Sequence, residues 1–374
     1  MLVQHLSTEN NLFRYANFAI HPKQTNLLVT LREDHTNDKE FKQPGNVLNT
    51  ICVVDTTAST PTVNIIIQDA DFYATPVLSP LGDKIAWQQW NLPDMPWEGG
   101  IIYVAGVSVD SGSLKVNSDA VLVAGAAATK SATFPSWIGN TTLAYTTDEY
   151  NKYQNPYIFD TDKQQATPVL NTPLTQDFAE PAWWLGLYPF AILGGGSTGV
   201  FTAFKDGGNI LYIVDLATSS DPVQIENFDF TVAQHVRAAS ENTFVFTGSK
   251  TTAPGGVILG TVSGSPGAYT VEFTTLKSAD DVSGVEFKTL KANQDDGPDV
   301  TKYISPPIPK TVSIPGGHPI YVVYYAPYSP DYSGPSDPNE KPPCVLNVHG
   351  GPTGLESQAL NWTKQFYTSR GFAW

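Results

Sequence analysis

His349-Gly350-Gly351-Pro352 follows directly on Cys344-Val345-Leu346-Asn347-Val348, a short and nearly all-apolar run. When a nucleophile adds to an acyl carbonyl, negative charge develops on the oxygen. Glycines in a loop let backbone N–H groups approach that atom with no side chain in the way. A His-Gly-Gly stretch after a strand is one way to supply such a donor. The same residues also suit a plain Gly-rich turn, and the motif alone leaves both readings open. Acyl transfer needs a nucleophile as well. Gly195-Gly196-Ser197-Thr198-Gly199 satisfies Gly-x-Ser-x-Gly formally, with His235, His318 and several aspartates after it. A nucleophile elbow requires a strand before the serine and a helix after it. Here Val200-Phe201-Thr202-Ala203-Phe204 is β-rich and stops at Asp206-Gly207-Gly208, so Ser197 is expected in a hairpin loop.

Other chemistries find little support. The six histidines are scattered without metal-ligand spacing and no Gly-rich phosphate loop ends in Lys-Ser or Lys-Thr, so neither metal nor cofactor is expected. The 374 residues carry 36 acidic against 21 basic side chains, a formal charge of −15 without a basic block. Nucleic acid and anionic membrane are therefore not expected partners. Cys52 and Cys344 each sit in an apolar, strand-like run and read as small buried side chains rather than a disulfide. The opening Met1-Leu2-Val3-Gln4-His5-Leu6-Ser7 has no basic start and no long apolar stretch, and a cytoplasmic location is the expectation. Two sequons, at Asn140 and Asn361, read as chance matches. The sequence carries no sign of the oligomeric state.

From Asn17 to about Ser305, short apolar runs are punctuated by Gly, Pro, Asn and Asp, the pattern of an all-β region. A strand end, a turn and a new strand recur, as in Ile20-His21-Pro22 before Leu27-Leu28-Val29 and Leu78-Ser79-Pro80 before Ile85-Ala86-Trp87. Taking Ile20, Leu78, Trp137, Trp183 and Val236 as equivalent gives steps of roughly 46 to 59 residues, near the period of four-stranded propeller blades. About five blades are read in this way. A β-sandwich gives no reason for such a period. Arg32-Glu33-Asp34-His35 could line a channel and reads better as a salt-bridged corner. Trp87, Trp90, Trp97, Trp137, Trp183 and Trp184 read as packing between blades.

After Ser305 the character changes. Pro306, Pro307 and Pro309 read as a rigid connector, with strands expected at Thr311–Ile314 and Pro319–Tyr325. Cys344–Val348 has the composition of a strand buried on both faces of a parallel sheet. Ser357–Arg370 carries Leu360, Trp362 and Phe366-Tyr367 as an imperfect helical stripe, Gly371 fits its end, and Phe372-Ala373-Trp374 opens a further strand. Strand, loop, helix and strand are the unit of an α/β sheet.

Lys341 through Thr353, with Gln365 through Ala373, resembles the hydrolase entry of the prolyl oligopeptidase family of serine peptidases, in its acylaminoacyl-peptidase and dipeptidyl-peptidase-like branch. Arg32-Glu33-Asp34-His35, the stretch from Asp71 to Trp87, and Trp90 with Met95-Pro96-Trp97 resemble the propeller of the same branch. The resemblance covers most of the chain in the same order. It implies a mainly β chain, with an incomplete β-propeller over residues 1–305 and the first strands and helix of an α/β-hydrolase domain over 306–374. It also implies a serine-type peptidase that cleaves short or N-blocked peptides through an acyl-enzyme, with the propeller restricting entry. His349, Gly350, Gly351 and Pro352 would form the oxyanion loop. Family members place the nucleophile elbow well downstream of His-Gly-Gly, with Asp and His later still. No such elbow is recognised here, and the chain alone is expected to be inactive. Arg14-Tyr15-Ala16-Asn17-Phe18 resembles a point well inside the family's propeller of about seven blades, so early blades are expected to be missing. A reading from another class is a non-catalytic propeller that binds a peptide or a protein. The apolar faces of Cys344–Val348 and Ser357–Arg370, built for sheet neighbours, argue against it.

Overall fold

A computed structural model of the chain describes residues 12–38, 44–57, 62–218, 220–279, 300–337, 339–351 and 353–374. The stretch Met1–Ser7 and Pro352 lie outside the described residues. The chain divides into two compact units, Met1–Phe201 with Ile213–Val223, and Thr202–Tyr212 with Gln224–Trp374.

Among the described residues five sheets follow one another along the chain, each built on four strands paired in chain order. The first holds β1 (Phe13–Ile20), β2 (Leu27–Asp34), β3 (Leu48–Asp55) and β4 (Thr62–Ile67). The second holds β5 (Phe72–Leu78), β6 (Lys84–Trp90), β7 (Ile101–Asp110) and β8 (Ser113–Val116), with β9 (Val121–Ala124) also paired to β7. The third holds β10 (Ala132–Trp137), β11 (Thr142–Thr147), β12 (Asn155–Asp160) and β13 (Gln165–Pro168). The fourth holds β14 (Phe190–Ile192), β15 (Thr198–Lys205), β16 (Gly208–Asp215) and β17 (Val223–Gln224), and the division between the units falls within its strands. The fifth holds β18 (Val232–Ala238), β19 (Thr243–Ser249), β20 (Gly256–Ser263) and β21 (Thr270–Ser278). In unit 1 the first strands adjoin, β1 beside β5 and β5 beside β10. Consecutive four-stranded meanders of this kind are propeller blades, and the sheet count agrees with the blade count read from the period.

One device repeats in these sheets. The residue after each first strand donates its backbone N–H to the start of the second, from His21 to Leu27, Ser79 to Lys84, Ile138 to Thr142, Leu193 to Thr198 and Ala239 to Thr243, at 2.9 Å each time. These bonds define the equivalent positions as Ile20, Leu78, Trp137, Ile192 and Ala238. Trp183 is therefore not the repeat residue of the fourth sheet, lying in the loop before β14, and in the fifth the equivalent position is Ala238 rather than Val236. Three residues before the strand end stand Asn17, Thr75, Phe134 and His235, all with positive φ, at 54°, 48°, 56° and 57°. Each coincides with a break in pairing register, the signature of a β-bulge. The corresponding position in the fourth sheet is Pro189, whose ring forbids a positive φ. There the first strand is only Phe190–Ile192.

The core lies between sheets, because strands in unit 1 bury both faces. On β6, Ile85 and Trp87 pack with Leu27, Val29 and Ile51 of the first sheet, while Ala86 faces Leu143, Tyr145 and Tyr157 of the third. Side chains alternate across a strand, so this needs nearly continuous apolar runs. Trp137 Nε1 donates to Val77 O at 3.2 Å and ties the third sheet to the second. Asn140, one of the sequon asparagines, donates to both oxygens of Asp83 at 3.1 and 3.3 Å. Its side chain has a structural use that accounts for it.

Unit 2 also contains β22 (Pro307–Val312) and β23 (Ile320–Tyr325), an antiparallel pair. Pro307 and Pro309 thus sit inside a strand rather than in a connector. Proline lacks an N–H and is tolerated on a strand with an unpaired edge. No helix among the described residues is long and apolar enough to cross a membrane.

Removing buried volume and relieving backbone strain should act in opposite directions. Ile85→Ala, at a fully buried site, is expected to lower unfolding free energy by about 2–5 kcal/mol in urea titrations. Thr75→Gly should leave it unchanged or raise it by up to about 1 kcal/mol, because a β-branched residue is strained at positive φ. Equal losses for the two would contradict this account of the bulge.

Candidate functional site

The His349 loop is built in unit 2 from three chain segments. At the end of β23, Tyr325 exchanges backbone hydrogen bonds with Trp374, at 2.8 and 3.0 Å. Ala373 in turn pairs in parallel with Cys344, its N–H donating to Pro343 O at 2.8 Å while Val345 N–H donates to Ala373 O at 2.9 Å. This places the run that leads into His349 beside Phe372-Ala373-Trp374. Cys344–Val348 is not the doubly buried strand its composition suggests. It makes one isolated bridge, Cys344 is exposed, and Leu346 and Val348 are 81% and 77% exposed. Apolar composition favours a buried strand only where neighbouring segments pair its backbone and cover its faces, and here Ala373 pairs only its first residues while Leu346 and Val348 stay uncovered.

His349, Gly350 and Gly351 are all exposed. His349 Nδ1 lies 3.3 Å from Gly350 O, a hydrogen bond when that nitrogen carries the proton. Gly351 adopts φ +72°, which requires glycine. Gly350 has neither positive φ nor a described neighbour within 4 Å of an added Cβ, so folding does not explain it. Gly354 was not singled out from the sequence, yet a Cβ there would come within 2.5 Å of His349 Nδ1 and 2.7 Å of Gly350 O. Only the folded loop reveals that constraint.

Both ends of the loop attach to one buried ion pair that sequence reading missed. Lys364 is 3% exposed. Its ammonium meets Glu356 Oε1 at 2.5 Å, donates to Ser357 O at 2.7 Å and to the Tyr325 hydroxyl at 3.3 Å. The other Glu356 oxygen accepts from Asn347 Nδ2 at 2.9 Å. Asn347 precedes the loop and Glu356 follows it, so the cluster clamps its base. Burial pushes the Tyr325 hydroxyl above its ordinary pKa, against the opposing effect of Lys364.

Lys364 belongs to α1 (Trp362–Thr368), a helix shorter than the stretch read from the sequence. Asn361 caps it by accepting from the Thr363 and Lys364 amides, at 2.9 and 3.2 Å, which also accounts for the second sequon asparagine. The helix buries Lys364, Gln365 and Thr368, while Trp362 and Phe366 are 41% and 52% exposed. The apolar stripe therefore faces out and the polar face faces in. Polar burial is tolerated because partners are supplied. Ser305 N–H donates to Gln365 Oε1 at 2.7 Å, and Gln365 Nε2 returns a bond to Ser305 O at 3.2 Å. Gly371, at φ +87°, lies beyond the helix end at Ser369.

The remaining candidates separate cleanly. Ser197 lies in the tight turn between the paired strands β14 and β15, with Gly195 and Gly196 at φ +80° and +75°, so it sits in the expected hairpin. Arg32–Asp34 at 2.5 Å, His35–Glu33 at 3.2 Å and Arg14–Glu33 at 3.7 Å make the expected salt-bridged corner. Burial raises Asp34's pKa, but Thr36 hydrogen bonds and the Arg32 guanidinium outweigh it and hold the carboxyl low. Trp87 and Trp137 pack within and between sheets, whereas Trp183 is 54% exposed with its ring 5.5 Å from that of Trp97, and Trp184 is 71% exposed. No group of three or more metal-ligating side chains occurs among the described residues.

Breaking the clamp from its acidic side strands a buried ammonium. Glu356→Ala should cost about 3–5 kcal/mol of unit 2 stability, and Lys364→Met distinctly less. Hydrogen exchange at the Val345 and Ala373 amides reads this locally. Equal effects of the two substitutions would show that the pair does not hold the loop.

Comparison with solved structures places these features together. A Mycobacterium tuberculosis puromycin-hydrolyzing peptidase matches 97% of this chain with 26% identity and a TM-score of 0.75, over 50% of its own length. A puromycin hydrolase matches 96% of the chain at 22% identity and a TM-score of 0.77, over 49% of its length. A prolyl endopeptidase structure matches 96% at 13% identity and a TM-score of 0.63, over 46% of its length. No family model and no curated protein matches. The chain spans about half the length of the solved relatives it matches. Through its blade-type sheets and the His-Gly-Gly segment after them, this chain is similar to a puromycin-hydrolyzing peptidase, and it shares its fold with a prolyl endopeptidase.

Proposed function

We propose that residues 1–305 are propeller and residues 306–374 the leading part of the α/β-hydrolase domain of a serine-type peptidase of the prolyl oligopeptidase family. The observation that carries the reading is the match over 97% of the chain to a puromycin-hydrolyzing peptidase. Short or N-blocked peptides are the substrate class, with the propeller restricting entry. In the proposed reaction a serine oxygen attacks the scissile carbonyl carbon and a base takes the hydroxyl proton. The amine leaves with that proton, and water then releases the acyl group from the serine. The Gly350 and Gly351 region would supply N–H donors to the oxyanion. Its exposure and the freedom around Gly350 suit that task. The exposed Leu346, Val348, Trp362 and Phe366 beside the loop suit sheet neighbours of an α/β fold. Because two of the relatives are puromycin hydrolases, puromycin is a compound to assay with any longer form.

The nucleophile is proposed to lie outside this chain, whose Gly-x-Ser-x-Gly match is a hairpin turn. Incubating the purified chain with a fluorophosphonate probe should leave it unlabelled, with intact mass unchanged. Stoichiometric labelling that disappears in Ser197→Ala would overturn the assignment of the hairpin.

A further inference from the structure

The segment that leaves the His349 loop is fastened to two hairpin ends, all within unit 2. β15 and β16 are joined by the two-residue turn Asp206-Gly207, with φ +51° and +78°. A tight hairpin of this kind needs that left-handed pair. The Asp206 carbonyl at its tip accepts from Gln358 Nε2 at 2.7 Å. A Cβ on Gly207 would come within 2.8 Å of the same nitrogen, so glycine serves the close approach as well as the turn. Gln358 is 5% exposed, and a buried amide needs such a partner. The turn between β19 and β20 holds the same segment through its backbone. Thr251 Oγ1 donates to Gln358 O at 3.1 Å, and Leu360 N–H donates to Lys250 O at 2.9 Å.

These anchors are closely coupled to the clamp at the base of the loop. Glu356, which accepts from Asn347, stands two residues before Gln358. The carbonyl of the intervening Ser357 accepts from Lys364 at 2.7 Å. Two residues of chain reach at most about 7 Å, so little slack remains to absorb a displacement. On the other side Leu360 runs into Asn361, the cap of α1, and Lys364 on that helix returns to Glu356. The two hairpins, the helix and the loop base thus form one closed circuit of hydrogen bonds.

We propose that Gln358 is a positioning residue of the His349 loop. It ties the loop's exit to the Asp206 and Thr251 hairpins, so that a shift of either hairpin passes through Glu356 to Asn347 and His349. Its meaning for catalysis rests on the peptidase reading, in which that loop supplies the oxyanion donors, whereas the mechanical link does not. The test uses the 374-residue chain, observed by NMR without any turnover. Gln358→Glu keeps the shape of the side chain and removes the donor. It is expected to shift the Asn347 side-chain amide and His349 ring signals of the folded protein, and to speed exchange at the Val345 amide by about fivefold or more. Thr251→Val leaves the Gln358 side chain intact, should move the same two signals, and carries the test if Gln358→Glu does not fold. Tyr303→Phe removes the Tyr303 hydrogen bond to Asp331 in the same unit and should leave both signals in place. A residue that only stabilised the fold would lower the urea midpoint without moving signals of the folded state. Unchanged Asn347 and His349 signals in either folded variant, or an equal shift in Tyr303→Phe, would overturn the proposal. A native gene without a downstream nucleophile would defeat the peptidase reading and leave these results standing.

Discussion

The fold of the first five sheets depends on one backbone constraint, the place at which each first strand must turn into its second. A single hydrogen bond closes that turn five times over, and in four sheets a left-handed residue stands three positions earlier. The bulge adds twist and shifts register, so that residues on either side of it face where their neighbours need them. Because β6 and β7 then present apolar residues on both faces, packing can proceed from sheet to sheet without an exposed apolar side. Neighbouring bulges even touch, with the Thr75 N–H donating to the Asn17 side chain at 3.2 Å.

Much of this was legible in the sequence because it is periodic. The recurring strand end, turn and strand predicted the number of sheets, and β-rich residues after Ser197 predicted its hairpin. The fourth sheet was misaligned for a definite reason. Pro181-Ala182-Trp183 imitates the repeat, while Pro189 prevents the bulge and leaves a strand of three residues too short to recognise. Prolines misled again in β22, where an unpaired edge lets Pro307 and Pro309 sit in a strand.

The site was legible only as a motif. Composition marked Cys344–Val348 and the Trp362–Phe366 stripe as buried, and both are exposed. What fastens the loop is a polar cluster in which buried Lys364 and Tyr325 meet half-buried Glu356, which in turn accepts from exposed Asn347, with Gln365 holding α1 to Ser305. No periodicity reveals such a cluster, because its members are set by reach and hydrogen-bond geometry rather than by spacing. Trp90 and Trp183 were read as packing between blades, whereas Trp90 stacks on Phe72 of its own sheet and Trp183 lies 5.5 Å from Trp97.

The proposed function makes this chain part of a peptidase whose nucleophile lies outside it. The reading frame and intact mass of the native gene product test it most directly. The account predicts a protein in which the residues of this chain are followed by Gly-x-Ser-x-Gly in a strand–turn–helix setting, then by the Asp and His of a triad. A native product of the same 374 residues that nevertheless cleaves peptides would contradict it.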